Sequence, residues 1–384
     1  MLITADTLLT GRELLRPGWI DVSDGVVLAV GGGPPPRTAD RDLGAVTVVP
    51  GFVDTHLHGG GGVNFTSATP ADTATAVGVH RRHGTTAVVA SLVTAGPDEL
   101  LRQVTDLAAD VRSGLIDGIH LEGPWLSTKR CGAHQPSLMR DPDPDEIDRV
   151  LAAGGGAVRM VTVAPERDGA LAAIRQLVAA GVVAAVGHTE ATYEQTRAAI
   201  AAGATVGTHL FNAMRPVDRR EPGPVVALLE DPRVTVELIT DGVHVAPAIY
   251  RHVTRSVGPD RVSLVSDAMA ATGMADGRYH LGPLAVDVVS RVAMVAGTDT
   301  IAGSTATMDR VFRFAIASNT GQGMSFDEAL ELAVRQSSLN PAKALGLPTD
   351  GLVPGAKADV AVLDSDLRVV GVLYRGSWVV DPAG

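Results

Sequence analysis

The chain predicts an α/β fold: a TIM-like (β/α)8 barrel carrying a small β-domain built from both ends of the sequence. Three observations lead there. Eight Val/Ala/Ile-rich runs alternate with helical patterns through the middle of the chain, the rhythm of a parallel sheet with helical crossovers. Histidines or carboxylates sit at the downstream ends of five of those runs, where a barrel gathers its active site. Short alternating runs at the two termini break the rhythm and need each other to cover their apolar faces.

The eight runs, in order, are "VTVVPGFVDTHLH", "TTAVVASLVT", "GIHLEGP", "AVRMVTVAPE", "GVVAAVGHT", "ATVGTHLF", "VTVELITDG" and "RVSLVSDA". Helices are expected over 70–83, 97–113, 169–180 and 190–202, several opening on Pro, Asp or Thr, and again near 307–318 and 326–338. Eight parallel strands close best as a barrel, a doubly wound open sheet being the weaker alternative. Residues 1–49 and 346–384 are assigned to a β-sandwich-like domain and 50–345 to the barrel, with a hairpin excursion near 279–302.

Composition narrows the function. Hydrophobic residues make up 45% but aromatics 3%, so Ala, Val, Leu and Ile must fill the core of an ordinary globular protein. A net charge of −11 argues against nucleic acid and anionic membranes, which reward a basic face. No run approaches the roughly 18 apolar residues of a membrane helix. The N-terminus has no signal-peptide pattern, and the single Cys131 fits a reducing compartment, so the expected location is cytoplasmic.

In the first run, His56 and His58 point the same way because strand side chains alternate faces. Alone, an HxH pair is as readily structural as ligating. Here the other strand ends supply Glu122, His188, His209 and Asp267, each a possible metal ligand or acid/base group. Imidazole with carboxylate suits Zn2+, Fe2+, Mn2+ or Co2+ better than Mg2+ or Ca2+. Such an ion keeps a position open for water and lowers its pKa towards about 7. His120 shares a face with Glu122 and reads as support one layer below. His80 and His83 read as solvated or as helix C-terminal dipole partners, and His252 and His280 as structural. The glycines after His58 lack the Lys and Ser/Thr of a nucleotide loop, and read as backbone passing close to metals and substrate. Cys131 lies in a polar loop, "STKRCGAHQPS", that could act as a lid.

The stretches "PGFVDTHLHGGGG", "HLEGPWLS", "CGAH", "VGHT", "GTHLFNAM", "REPG", "DGVHV", "SDAMAATG", "GS" and "NPAKALGL", in this order across nearly the whole chain, resemble the N-acetylglucosamine-6-phosphate deacetylases of the amidohydrolase superfamily. The resemblance implies a barrel of the metal-dependent amidohydrolase type. It also implies hydrolysis of the acetamide of N-acetylglucosamine 6-phosphate, in amino-sugar catabolism and cell-wall recycling. Glu122, His188 and His209 would hold a principal cation, and His56 and His58, with Glu122 as bridge, a second, giving one or two per subunit. Asp267 would be the general base towards water and then the proton donor to the amine. His134 would stabilise the developing oxyanion. Arg220 and His244 would contact the phosphate, with backbone near Asn212 and Ala213 also touching substrate, and a homodimer would complete the phosphate site.

Other readings are weaker. A cyclic amidase or deaminase of the same superfamily often bridges two metals with a carbamylated lysine, and no lysine lies between Lys129 and Lys343. A barrel that had become a binding or scaffold protein would be expected to have lost ligands, and this chain keeps them.

Overall fold

A computed structural model of the chain describes residues 1–67, 69–348 and 350–382. Thr349, Ala383 and Gly384, which fall in the expected C-terminal segment, lie outside the described residues. The centre is an eight-stranded parallel sheet formed by Phe52–Leu57, Thr85–Val93, Gly118–Glu122, Val158–Val163, Val183–Val186, Val206–Gly207, Thr235–Ile239 and Val262–Val265, each paired with its neighbour in sequence order. Helices lie between most of them, and two begin where expected, Pro70–Arg82 with Thr69 capping the Asp72 amide and Pro97–Ser113, while Pro144–Gly154, capped by Asp143, adds a helix that was not expected. The helix expected from 190 starts at Tyr193, because Thr192 and Gln195 form a reciprocal capping box.

The first and eighth strands close the barrel without a regular ladder. The Asp267 amide donates to the His56 carbonyl at 2.8 Å and the His58 amide to the Ala268 carbonyl at 2.7 Å. Beneath them the buried Asp54 carboxylate accepts from both the amide and the hydroxyl of Ser266. The seam is therefore held by the segment beyond the last strand, at the end where the candidate residues lie.

Both chain ends build two further sheets. A four-stranded sheet contains Leu2–Ala5, Gly18–Ser23, Val26–Gly32 and Arg41–Asp42, and a six-stranded sheet pairs Thr47–Pro50 antiparallel to Val360–Leu363. Ile3, Leu8, Ile20, Val48, Val362 and Leu373 share one buried cluster there. The run "VTVVPGFVDTHLH" is thus not one strand: Thr47–Pro50 belongs to this β-layer and Phe52–Leu57 to the barrel. Gly51 lies at the break, where a Cβ would fall 2.2 Å from the Thr86 hydroxyl oxygen. The excursion near 279–302 contains three antiparallel strands, Gly277–Leu281, Leu284–Val289 and Val292–Val295, one more than a hairpin. Among the described residues no helix is long and apolar enough to cross a membrane.

Candidate active site

At the C-terminal ends of the strands a cavity of about 400 Å³ is lined by His58, Glu122, His134, His188, His209, Asn212, Ala213, His244 and Asp267, with Lys129–Ala133 and the 299–303 turn at its rim. His56 lies just beneath, fully buried. Three of these strand-end residues leave their strands in left-handed backbone, His188 at φ 34°, His209 at 24° and Asp267 at 50°. Non-glycine residues avoid that region unless the surroundings force them there, and such strain concentrates at functional sites.

Glu122 is the hub. Its Oε1 lies 2.9 Å from His209 Nε2, 3.0 Å from His188 Nε2 and 3.4 Å from His56 Nε2. Its Oε2 lies 3.2 Å from both His58 Nε2 and His134 Nε2. Asp267 Oδ1 approaches His58 Nε2 at 3.2 Å. Burial opposes charge on Glu122, but His56, His134 and His188 around it hold its carboxyl well below the usual range. Burial likewise works against Asp267, and the imidazoles of His58 and His56 together outweigh it, bringing the carboxyl down to about 2. Both carboxylates are ionised at neutral pH.

The other ring nitrogens decide what each histidine can do. His58 Nδ1 donates to the Ser91 carbonyl at 3.2 Å, His188 Nδ1 to the Arg130 carbonyl at 3.0 Å, and His56 Nδ1 to the Glu237 carboxylate at 3.1 Å. When neutral, these rings present an Nε2 lone pair to the site, the form that ligates a cation. His134 is reversed: the Thr94 amide donates to its Nδ1, so the neutral ring carries its proton on Nε2. Burial brings its pKa down to about 4, and it is a neutral donor. His244 Nδ1 donates to Asp241 at 2.9 Å; burial opposes its charge, but Asp241 raises its pKa above the ordinary imidazole value.

Could these residues hold a cation? Three groups bring ligand atoms within 4.8 Å of one another: His56/Glu122/His209, His56/His58/Asp267 and Glu122/His134/His188. His56 Nε2 is buried and makes no hydrogen bond. A lone pair left bare among carboxylates, in a mixed imidazole and carboxylate donor set, fits a divalent ion.

Arg220, expected at a phosphate site that a homodimer completes, stands apart from the cavity of its own chain. It is exposed and does not line the cavity, its amide turning back onto Asp218. Asn212, Ala213 and His244 do line it. The glycines are also explained differently. A Cβ on Gly59 would sit 2.2 Å from the Val63 carbonyl and one on Gly60 3.0 Å from His80 Nε2, and none of the four glycines lines the cavity. Gly59 and Gly60 serve close packing on their own chain, and Gly61 and Gly62 take up left-handed backbone at φ 65° and 90°. His80, expected to be solvated or a helix C-terminal dipole partner, lies in the last turn of Pro70–Arg82 but is fully buried, with Nε2 donating to the Gly59 carbonyl and its pKa lowered by burial to about 4. His120 is buried under the cluster between Ser91 and Thr162. Glu237, Thr94 and Asp241 were missed in the sequence. Glu237 alone left a trace, a carboxylate inside the apolar run "VTVELI".

A barrel whose strand ends gather four histidines and two carboxylates around a cavity is the frame of a hydrolase that uses bound cations. The chain belongs to the amidohydrolase family, whose model matches residues 47–379. It is 36% identical to N-acetylgalactosamine-6-phosphate deacetylase of Escherichia coli O157:H7, covering 96% of this chain and 98% of that one. It is 37% identical to human N-acetylglucosamine-6-phosphate deacetylase over 90% of this chain and 88% of the other. Among solved structures, the D267A mutant of N-acetyl-D-glucosamine-6-phosphate deacetylase from Mycobacterium smegmatis, in complex with N-acetyl-D-glucosamine-6-phosphate, superposes with a TM-score of 0.98. That chain is 72% identical, with 99% of each covered.

Proposed function

We propose that the chain hydrolyses the acetamide of N-acetylglucosamine 6-phosphate to glucosamine 6-phosphate and acetate. The observation that carries this reading is a pair that lines the cavity beside the Glu122 cluster: an ionised Asp267, and a neutral His134 whose Nδ1 accepts from the Thr94 amide and whose Nε2 therefore carries the proton. The similar Mycobacterium smegmatis protein, in complex with that sugar phosphate, supports the substrate, and its mutated residue has the same letter and number as Asp267.

Glu122, His188 and His209 would hold one divalent cation of the Zn2+, Fe2+, Mn2+ or Co2+ class, and His56 and His58, with Glu122 between, a second. Bound there, cations supply Lewis acidity towards water and the amide carbonyl. Asp267 takes a proton from the attacking water as the C–O bond forms, and delivers it to the amine nitrogen as the C–N bond breaks. His134 donates Nε2–H to the carbonyl oxygen as it becomes negative. His244, with Nδ1 fixed on Asp241, turns Nε2 to the cavity as a donor for the phosphate.

Because Arg220 stands outside its own cavity, the phosphate site is proposed to be completed by Arg220 of the partner subunit in a homodimer. The same reading treats 1–49 and 346–384 as one β-domain and 50–345 as the catalytic barrel, in a cytoplasmic enzyme. Acetate release from the phosphorylated sugar, with and without chelator, tests the proposal. Chelator-sensitive release that returns with added divalent ion is expected, and inert protein at full cation loading would sink it.

A further inference from the structure

Glu237 lies in the seventh barrel strand with its side chain 2% exposed. A carboxylate is costly to bury and is normally paired with Arg or Lys. Here the charged partner is a histidine. Glu237 Oε2 lies 3.1 Å from His56 Nδ1 and accepts the His209 amide at 3.3 Å, while Oε1 accepts the Thr55 hydroxyl at 3.4 Å. The Glu237 carbonyl accepts the Leu210 amide at 2.8 Å. One side chain is thus tied to the first strand's His56 and to the backbone that bears His209.

The consequence falls on the far side of the ring. With Nδ1–H held by Glu237, a neutral His56 must direct its Nε2 lone pair at the site, and that atom makes no hydrogen bond. The backing groups of His58 and His188 are peptide carbonyls, whereas His56 is backed by an acidic side chain. A carboxylate behind an imidazole fixes the ring's tautomer and orientation and strengthens it as a donor.

We propose that Glu237 is a positioning residue that makes the His56/His58 cation position fill, without contacting cation or substrate itself. The inference rests on the metal-dependent reading above. It assigns this chain's capacity for a second ion to a residue in a strand that contributes no ligand.

Zn2+ uptake against a chromophoric chelator, together with Co2+ absorption spectra, tests this on wild type, Glu237→Gln, Glu237→Ala and His56→Gln. The expected result is two equivalents in wild type. Glu237→Gln should weaken one of them by roughly 10- to 100-fold, the same equivalent that His56→Gln loses, with the other unchanged. Glu237→Gln, close in shape, provides the result should the alanine variant fail to fold, and its cation-free melting temperature should match wild type. Two equivalents of unchanged affinity in Glu237→Gln would overturn the inference, as would equal weakening of both. Wild type binding no cation would instead overturn the metal-dependent reading itself.

Discussion

The backbone N–H of Thr94 donates to Nδ1 of His134 across 3.2 Å, and this contact sets which face of the imidazole carries its proton. The neutral ring must then be protonated on Nε2, the atom 3.2 Å from Glu122 Oε2. A nitrogen bearing a proton donates and does not ligate. His134→Gln should therefore lower turnover by about 10²- to 10³-fold, the loss expected for one oxyanion donor, with cation content unchanged. Loss of a cation on metal analysis would instead place His134 in the Glu122/His134/His188 ligand group.

Arg220 and Asp267 give a test by mixing. Asp267→Asn should retain its cations and collapse turnover, and Arg220→Ala should raise KM for the phosphorylated sugar far more than for a non-phosphorylated analogue. If Arg220 serves the partner's cavity, a heterodimer of the two variants has one site with both defects and one with neither. Normal KM should return on mixing and refolding the two inactive or weakened chains. No recovery, with dimers verified by sedimentation, would put Arg220 in its own cavity or outside the site.

Gly51 joins the β-layer to the barrel with no room for a side chain, its Cβ position falling 2.2 Å from Thr86 Oγ1 and 2.8 Å from Thr86 Cβ. Thr86 is itself buried. Gly51→Ala should lower stability by about 1–3 kcal/mol, as overpacked sites do. Adding Thr86→Ala should recover part of that loss in denaturant titration, and additive losses would show that the contact is not the cause.

Asp309, on the helix Met308–Thr320, links the acid limb of stability to a named group. Burial raises its pKa, but the hydrogen bonds from His83 and Thr307 and the nearby Arg313 outweigh it, bringing it down to about 2. A folded-state pKa below the unfolded 3.8 means stability fully present above about pH 4 and lost as pH falls towards 2. The gap corresponds to about 2 kcal/mol at neutral pH. Asp309→Asn should unfold more readily at pH 7 yet lose less stability between pH 4 and 2, which thermal melts across that range will show.

The eight runs were legible because strand and helix periodicities are local, and the helix over 97–113 is recovered residue for residue because Pro97 and Gly114 mark its ends within the sequence itself. Strand breaks were less so. Thr47–Pro50 and Phe52–Leu57 read as one run because both are apolar, and only the fold divides them, pairing the first with Val360–Leu363 and the second with Thr85–Val93. His80 was misread for a related reason: a helix end is normally wet, but the loop at Gly59 folds over this one.

His56, His58, Glu122, His188, His209 and Asp267 were identifiable by themselves, since alternation along a strand and position at a strand end fix the face and level of each side chain without knowledge of its partners. Their chemistry was not. Whether a histidine donates or ligates depends on what meets its other nitrogen. The carboxylate behind His56 lies 181 residues away and the amide behind His134 lies 40. The sequence by itself determined the barrel and the residues gathered at its mouth. Tertiary structure decided the tautomers, the closing seam at Asp54 and Ser266, and the exclusion of Arg220 from its own cavity, because each depends on contacts between segments that no local pattern connects.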